Sequence, residues 1–185
     1  MRYKTHIVSS LTLGAGISII THYPFHIGYV VGISIGSLLP DIDEPNSFIG
    51  RRSMGLATYI NKKYGHRGIT HSLFAWILIS IVCLIIPSPL TLGISLGYLF
   101  HLLGDFFSVR SIPVFAPLNY NRPKISITYR TGSITENVIL YIFSILLFYF
   151  IFGIGNLHIY LFHSIAEVIS STIRILLKLL EVSIT

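Results

Sequence analysis

The stretch Val138–Ile154 reads VILYIFSILLFYFIFGI, seventeen residues without one charge. At ~1.5 Å per residue, a helix of this run reaches most of the way across a ~30 Å hydrocarbon core. A lone strand cannot satisfy its backbone in lipid, and the run has no period-two alternation, so it reads as a membrane helix. Four more apolar segments lie upstream: Ile7–Thr21, Phe25–Leu39, Ser72–Ile86 and Leu90–Phe107. The first two are short for a span and need local thinning or burial inside a bundle. Downstream, Ile159–Leu180 carries His163, Glu167, Ser170, Ser171, Arg174 and Lys178, with Glu181 just beyond, at three- and four-residue steps. That polar stripe fits a last span turned inward or a helix on the bilayer surface, and both remain open.

The N-terminal MRYKTH and the Ser- and Gly-diluted run after it read as an uncleaved first helix rather than a signal peptide. No repeat or long linker divides the chain. The expected architecture is all-α: a polytopic membrane bundle of about five to six helices, forming one domain over residues 1–185.

Composition agrees. The chain has 185 residues, of which 52% are hydrophobic and only 11% charged. Its mean hydropathy is +0.74. Soluble domains carry about a quarter charged residues, so a soluble fold and a disordered chain are both excluded. Cys83 is the single cysteine, which rules out an internal disulfide and a cysteine-built zinc site.

Thirteen Lys and Arg stand against seven Asp and Glu. No nucleic-acid partner is expected, because topology accounts for the excess. The connections THYP and PSPL lack basic residues, whereas Pro40–Thr70 carries Arg51, Arg52, Lys62, Lys63 and Arg67, and Ser108–Ser133 carries Arg110, Arg122, Lys124 and Arg130. Threaded up and down, every strongly basic segment falls on one side, which the positive-inside bias makes cytoplasmic.

The same threading gathers the ionisable residues. Starts of helices one, three and five share a face with the ends of helices two and four. His6, Asp41, Asp43, His66, His71, His101, Asp105 and Glu136 therefore arrive together. Charge near lipid costs several kcal/mol unless paired or bound. Imidazole with carboxylate is ligand chemistry for zinc, iron or manganese. His101 and Asp105, spaced i, i+4, share a helical face. Alone, that pair is equally an intrahelical hydrogen bond, PDIDEP a helix stop, and GHRGITHS a polar turn with Thr70 or Ser72 as N-cap. Their convergence favours a metal centre. His22, His26, His158 and His163 fall outside it, and Cys83 and Trp76 read as packing. Gly28, Gly32 and Gly36 form GxxxG steps for close helix contact within the chain.

With these motifs the chain resembles the YdjM-like family of membrane-bound, metal-dependent hydrolases. The resemblance rests on His6, LLPDIDEPNSFIGRR, GHRGITHS, GYLFHLLGDFFS with IPVFAP, and TGSITE. It implies a multi-pass inner-membrane protein whose motif positions are those same eight residues. A sparser likeness, in HxxxD and the His/Asp set, is to the helical zinc phospholipase C and P1 nuclease group.

The expected cofactor is a divalent metal, zinc foremost, with donors enough for two or three ions. Such ions would activate a water and clamp an ester or phosphoester oxygen of a lipid-like substrate. Asp43 or Glu136 would take the proton, and Arg67, joined by Arg51 and Arg52, would hold an anion. The expected partner is membrane lipid. A non-catalytic, metal-stabilised scaffold or regulatory protein remains an alternative, as does a transporter, which the gathering of charge at one face disfavours.

Overall fold

The computed structural model describes residues 1–154 and 156–184, with side chains through Leu179. Glu181 of the polar stripe has its side chain outside that description. Among the described residues there are seven α-helices and no strand: α1 (Tyr3–Thr21), α2 (Ile27–Gly36), α3 (Leu56–Tyr64), α4 (Leu73–Ile85), α5 (Pro89–Phe106), α6 (Ile134–Tyr149) and α7 (Leu157–Ile184).

Local chemistry sets the boundaries. α1 stops at His22, which adopts φ +55 ahead of Pro24. α2 is closed by Ser37, and Pro40 opens the 3-10 turn Leu39–Asp43. Ser72 caps α4 by accepting the Ala75 N–H. α5 begins with a reciprocal cap: Ser88 Oγ accepts from Thr91 N at 3.1 Å and Thr91 Oγ1 accepts from Ser88 N at 2.9 Å.

The five-to-six-span bundle is not matched element for element. Among the described residues, two helical segments, Ile134–Ile154 and Leu157–Leu179, are long and apolar enough to cross a membrane. α2 has only 10 residues, about 15 Å. The Pro and Ser stops and the Ser, Thr and His content of the first half explain the shortfall. α3 lies within the segment read as a long loop; LATYINKKY is amphipathic but only 9 residues long and buries only Ala57, so it does not stand out from the basic connection around it. α6 runs into a π-helical turn over Phe150–Ile154. α7 docks through Leu157 and Ser164, which accepts the Ile27 N–H at 2.9 Å, and presents both its apolar residues and its polar stripe outward.

Polarity is inverted relative to a soluble protein. Large apolar side chains of α4, α6 and α7 are exposed, while His6, Asp43, His71, His101, Asp105 and Glu136 are each at most 1% exposed. Such a surface suits lipid.

The axis of the fold is the α2–α5 contact. A Cβ on Gly36 would stand 2.1 Å from Ile94 O, and one on Gly97 would stand 2.3 Å from Ile33 O. The backbones touch where any side chain would separate them. Trp76 braces the neighbouring pair, donating from Nε1 to Ser95 O at 3.1 Å. Gly36→Ala should therefore destabilise the protein by about 1–3 kcal/mol, the range for overpacking. Gly16→Ala should change little, since a Cβ there meets only Phe150 at 3.6 Å. Thermal melting in detergent reads both.

Candidate metal centre

Three segments meet at the end of the α2–α5 contact. α5 supplies His101 and, one turn on, Asp105. The turn after α2 supplies Asp41, and the short Ile69–His71 turn before α4 supplies His71. One donor atom from each of these four lies within 4.8 Å of the other three. His71 Nε2 is 3.6 Å from both Asp41 Oδ1 and Asp105 Oδ2. His101 Nε2 is 3.7 Å from the same two oxygens and 3.2 Å from His71 Nε2. A tetrahedral ion with bonds of about 2.0–2.1 Å holds its donors about 3.3–3.4 Å apart. The residues fit such a group.

Their hydrogen bonds aim them. His101 Nδ1 is 2.7 Å from the Ser37 carbonyl, and His71 Nδ1 is 3.1 Å from Asp43 Oδ2. Both partners can only accept, so each Nδ1 carries a hydrogen and each Nε2 faces the cluster, where it can offer a lone pair once it carries no proton. Asp43 is saturated. Its Oδ1 accepts from His66 Nδ1 at 2.9 Å, and its Oδ2 also accepts from Arg67 N at 3.0 Å and from the Thr70 hydroxyl.

Arg67 fixes Asp105 from the other side. Held at φ +56, it donates from Nη2 to Asp105 Oδ1 and from Nη1 to Ser108 Oγ, each at 2.7 Å. The other oxygen, Oδ2, is left for the cluster. His6 stacks on His101, with ring centroids 3.7 Å apart and planes 6° from parallel, and its Nε2 is 3.5 Å from Asp105 Oδ1. Neither His6 nitrogen has a hydrogen-bond partner among the described residues. Glu136 accepts from Arg2 N at 2.5 Å and Gly132 N at 2.6 Å, tying the start of the chain to α6.

Of the eight expected ligands, Asp41, His71, His101 and Asp105 converge on one point. His6, Asp43, His66 and Glu136 surround it without joining the convergence. Arg51 lines the adjoining cleft, whereas Arg52 packs over Phe48 at 4.0 Å. Two contributors were invisible in the pattern: the Ser37 carbonyl, which leaves no side-chain signal, and Thr70, which reads as an ordinary cap. A cleft of about 1260 Å³ opens beside the cluster, with Asp41, His66 and Arg67 in its wall.

Burial opposes charge on Asp41 and Asp43, but the imidazoles around them prevail. His101 and His71 act on Asp41, and His66 and His71 on Asp43, and both carboxyls sit well below the usual range. Burial would likewise lower His71, yet Asp41, Asp43 and Asp105 together raise it to about 9. A cation must thus displace a proton from His71. Metal affinity should rise about tenfold per pH unit up to about pH 9 and then level off, with one proton released, as chelator competition and calorimetry would show. Asp43→Asn should weaken metal binding about 10–100-fold without deleting a donor.

Comparison with known proteins identifies the family. A family model described as YdjM inner membrane protein matches residues 1–177. Inner membrane protein YdjM of Escherichia coli (strain K12) is 39% identical over 90 residues, covering 45% of this chain and 46% of that protein. The protein of the same name from Shigella flexneri gives the same figures. The chain thus spans about half the length of these two curated relatives. Uncharacterized protein YvsG of Bacillus subtilis (strain 168) is 31% identical over 147 residues, 76% of this chain and 88% of that protein. No solved structure matches. The motifs from His6 to Glu136 and the match over nearly the whole chain agree: this chain belongs to the YdjM inner membrane protein family.

Proposed function

We propose that the chain is a multi-pass inner-membrane metal-dependent hydrolase of an ester or phosphoester, acting as one domain over residues 1–185 with its site at the cytoplasmic face. One observation carries the reading. Asp41, 15% exposed, is the only member of the four-donor cluster that is not fully buried, and it lines the cleft. The cluster is thereby coupled to a space large enough for a substrate. A bound divalent ion, zinc by its donor set, would supply Lewis-acid polarisation and an acidic water.

The protein's own groups then divide the work. Hydrolysis joins the water oxygen to the substrate centre, releases an alkoxide, and needs a proton taken from the water and returned to the leaving group. Asp43 and Glu136, the sequence candidates for that transfer, have both oxygens engaged by donors and become positioning residues. His66 fits the role better. Its Nδ1 donates to Asp43, and its Nε2 has no hydrogen-bond partner among the described residues. The ring is 28% exposed and lines the cleft. An imidazole oriented by a buried carboxylate is a recurrent arrangement for moving protons. Arg67 holds Asp105 and faces the same cleft, where its charge favours an anionic substrate.

A second reading, a non-catalytic metal-stabilised scaffold, is favoured by the donor count, since four protein donors is the closed set of structural zinc sites. The two readings part on turnover. Hydrolysis should be measured over a panel of phosphodiesters and carboxylic esters. His71→Ala and Asp105→Ala should abolish turnover and lower bound metal. His66→Gln should lower kcat about 10²–10⁴-fold with metal content unchanged. A wild-type protein with full metal and no turnover on any member of the panel selects the scaffold.

A further inference from the structure

The cleft beside the cluster is strongly cationic. Arg2, Lys4, Arg51, Arg67, Arg110 and Arg130 line it, against Asp41 and Glu44. They come from the start of α1, the turns before α3 and α4, and the segments after α5 and before α6. Arg2 and Arg67 are engaged by Glu136 and Asp105. The side chains of Lys4, Arg51, Arg110 and Arg130 are exposed and, among the described residues, have neither an ion pair nor a hydrogen bond.

Topology does not explain this arrangement. Arg52, Lys62, Lys63, Arg122 and Lys124 mark the same side of the chain without lining the cleft. A positive-inside signal needs charges on one side, with no requirement that they converge on a concavity. Four unpaired cations in one hollow repel each other, and low-dielectric walls focus their field. An anion relieves that repulsion, and a phosphate with two charges matches guanidinium forks in two-point fashion. The volume of about 1260 Å³ exceeds what a bare phosphate fills. Tyr3, Phe48, Val109 and Leu140 add apolar wall, which suits the root of an attached chain.

We propose that this cleft binds a phosphate group carrying at least two negative charges, of the kind borne by a phosphomonoester or pyrophosphate headgroup, next to the metal cluster. This names the substrate class of the hydrolytic centre and rests on that reading. The test uses the full chain in nanodiscs of phosphatidylcholine, with and without phosphatidate, and inorganic pyrophosphate as the soluble probe. It compares wild type with the Arg110→Gln/Arg130→Gln double variant, both exposed positions outside the metal cluster.

Wild type should bind phosphatidate or pyrophosphate at least tenfold more tightly than the double variant, with metal content and melting temperature unchanged between them. Phosphatidate binding that pyrophosphate does not compete away assigns the site to a lipid headgroup. Binding of pyrophosphate that phosphatidate does not displace assigns it to a soluble phosphate. Indifference of wild type to both probes, or wild-type affinity in the double variant, overturns the proposal. Arginine-dependent binding without any phosphoester turnover keeps the cleft assignment and removes the hydrolytic reading. Hydrolysis of a phosphomonoester with the same kcat/KM in both proteins keeps the hydrolytic reading and removes the cleft assignment.

Discussion

Two imidazole nitrogens, His71 Nε2 and His101 Nε2, face each other at 3.2 Å, and both rings have their Nδ1 hydrogens directed to acceptors. Two lone pairs at that distance repel, and the oxygens of Asp41 and Asp105 beside them add negative charge. Something positive must stand among the four atoms. A proton on His71, favoured by the carboxylates around it, meets the need, and a divalent cation in its place would find donors spaced 3.2–3.7 Å around both imidazoles. The rest of the structure holds these four groups together.

The holding is done by backbone. Glycines let α2 and α5 touch, so that the carbonyl after Gly36 reaches His101 and the Leu39–Asp43 turn arrives beside Asp105. Asp43 then serves both neighbours at once, fixing His71 on the cluster and His66 in the cleft. Arg67 closes the far side through Asp105. Outside this polar interior the helices offer apolar side chains to their surroundings, the inversion that a lipid solvent permits.

Much of this was legible beforehand, for a physical reason. Lipid penalises ionisable groups so heavily that their positions in the chain reveal a common face once the apolar segments are threaded. That logic found His71, His101, Asp41 and Asp105, and the motif blocks identified the family. It did not separate these four from His6, Asp43, His66 and Glu136, because converging donors and the residues around them are the same types and differ only in which atom turns inward. It made α2 too long, Phe25–Leu39 against the observed Ile27–Gly36, since apolar composition says nothing about the stop at Ser37 and Pro40, and it began α1 four residues late, because Tyr3–His6 is too polar to read as part of an apolar run. α3 escaped because its amphipathic pattern lasts only nine residues inside a basic connection, and the Ser37 carbonyl because backbone groups leave no trace in residue identity.

X-ray absorption on the purified protein tests the central claim most directly. The account predicts one divalent ion per chain, bound by two imidazole nitrogens and carboxylate oxygens in a shell at about 2.0–2.1 Å. A shell without imidazole scattering, or an ion whose signature persists when both His71 and His101 are replaced, would contradict it.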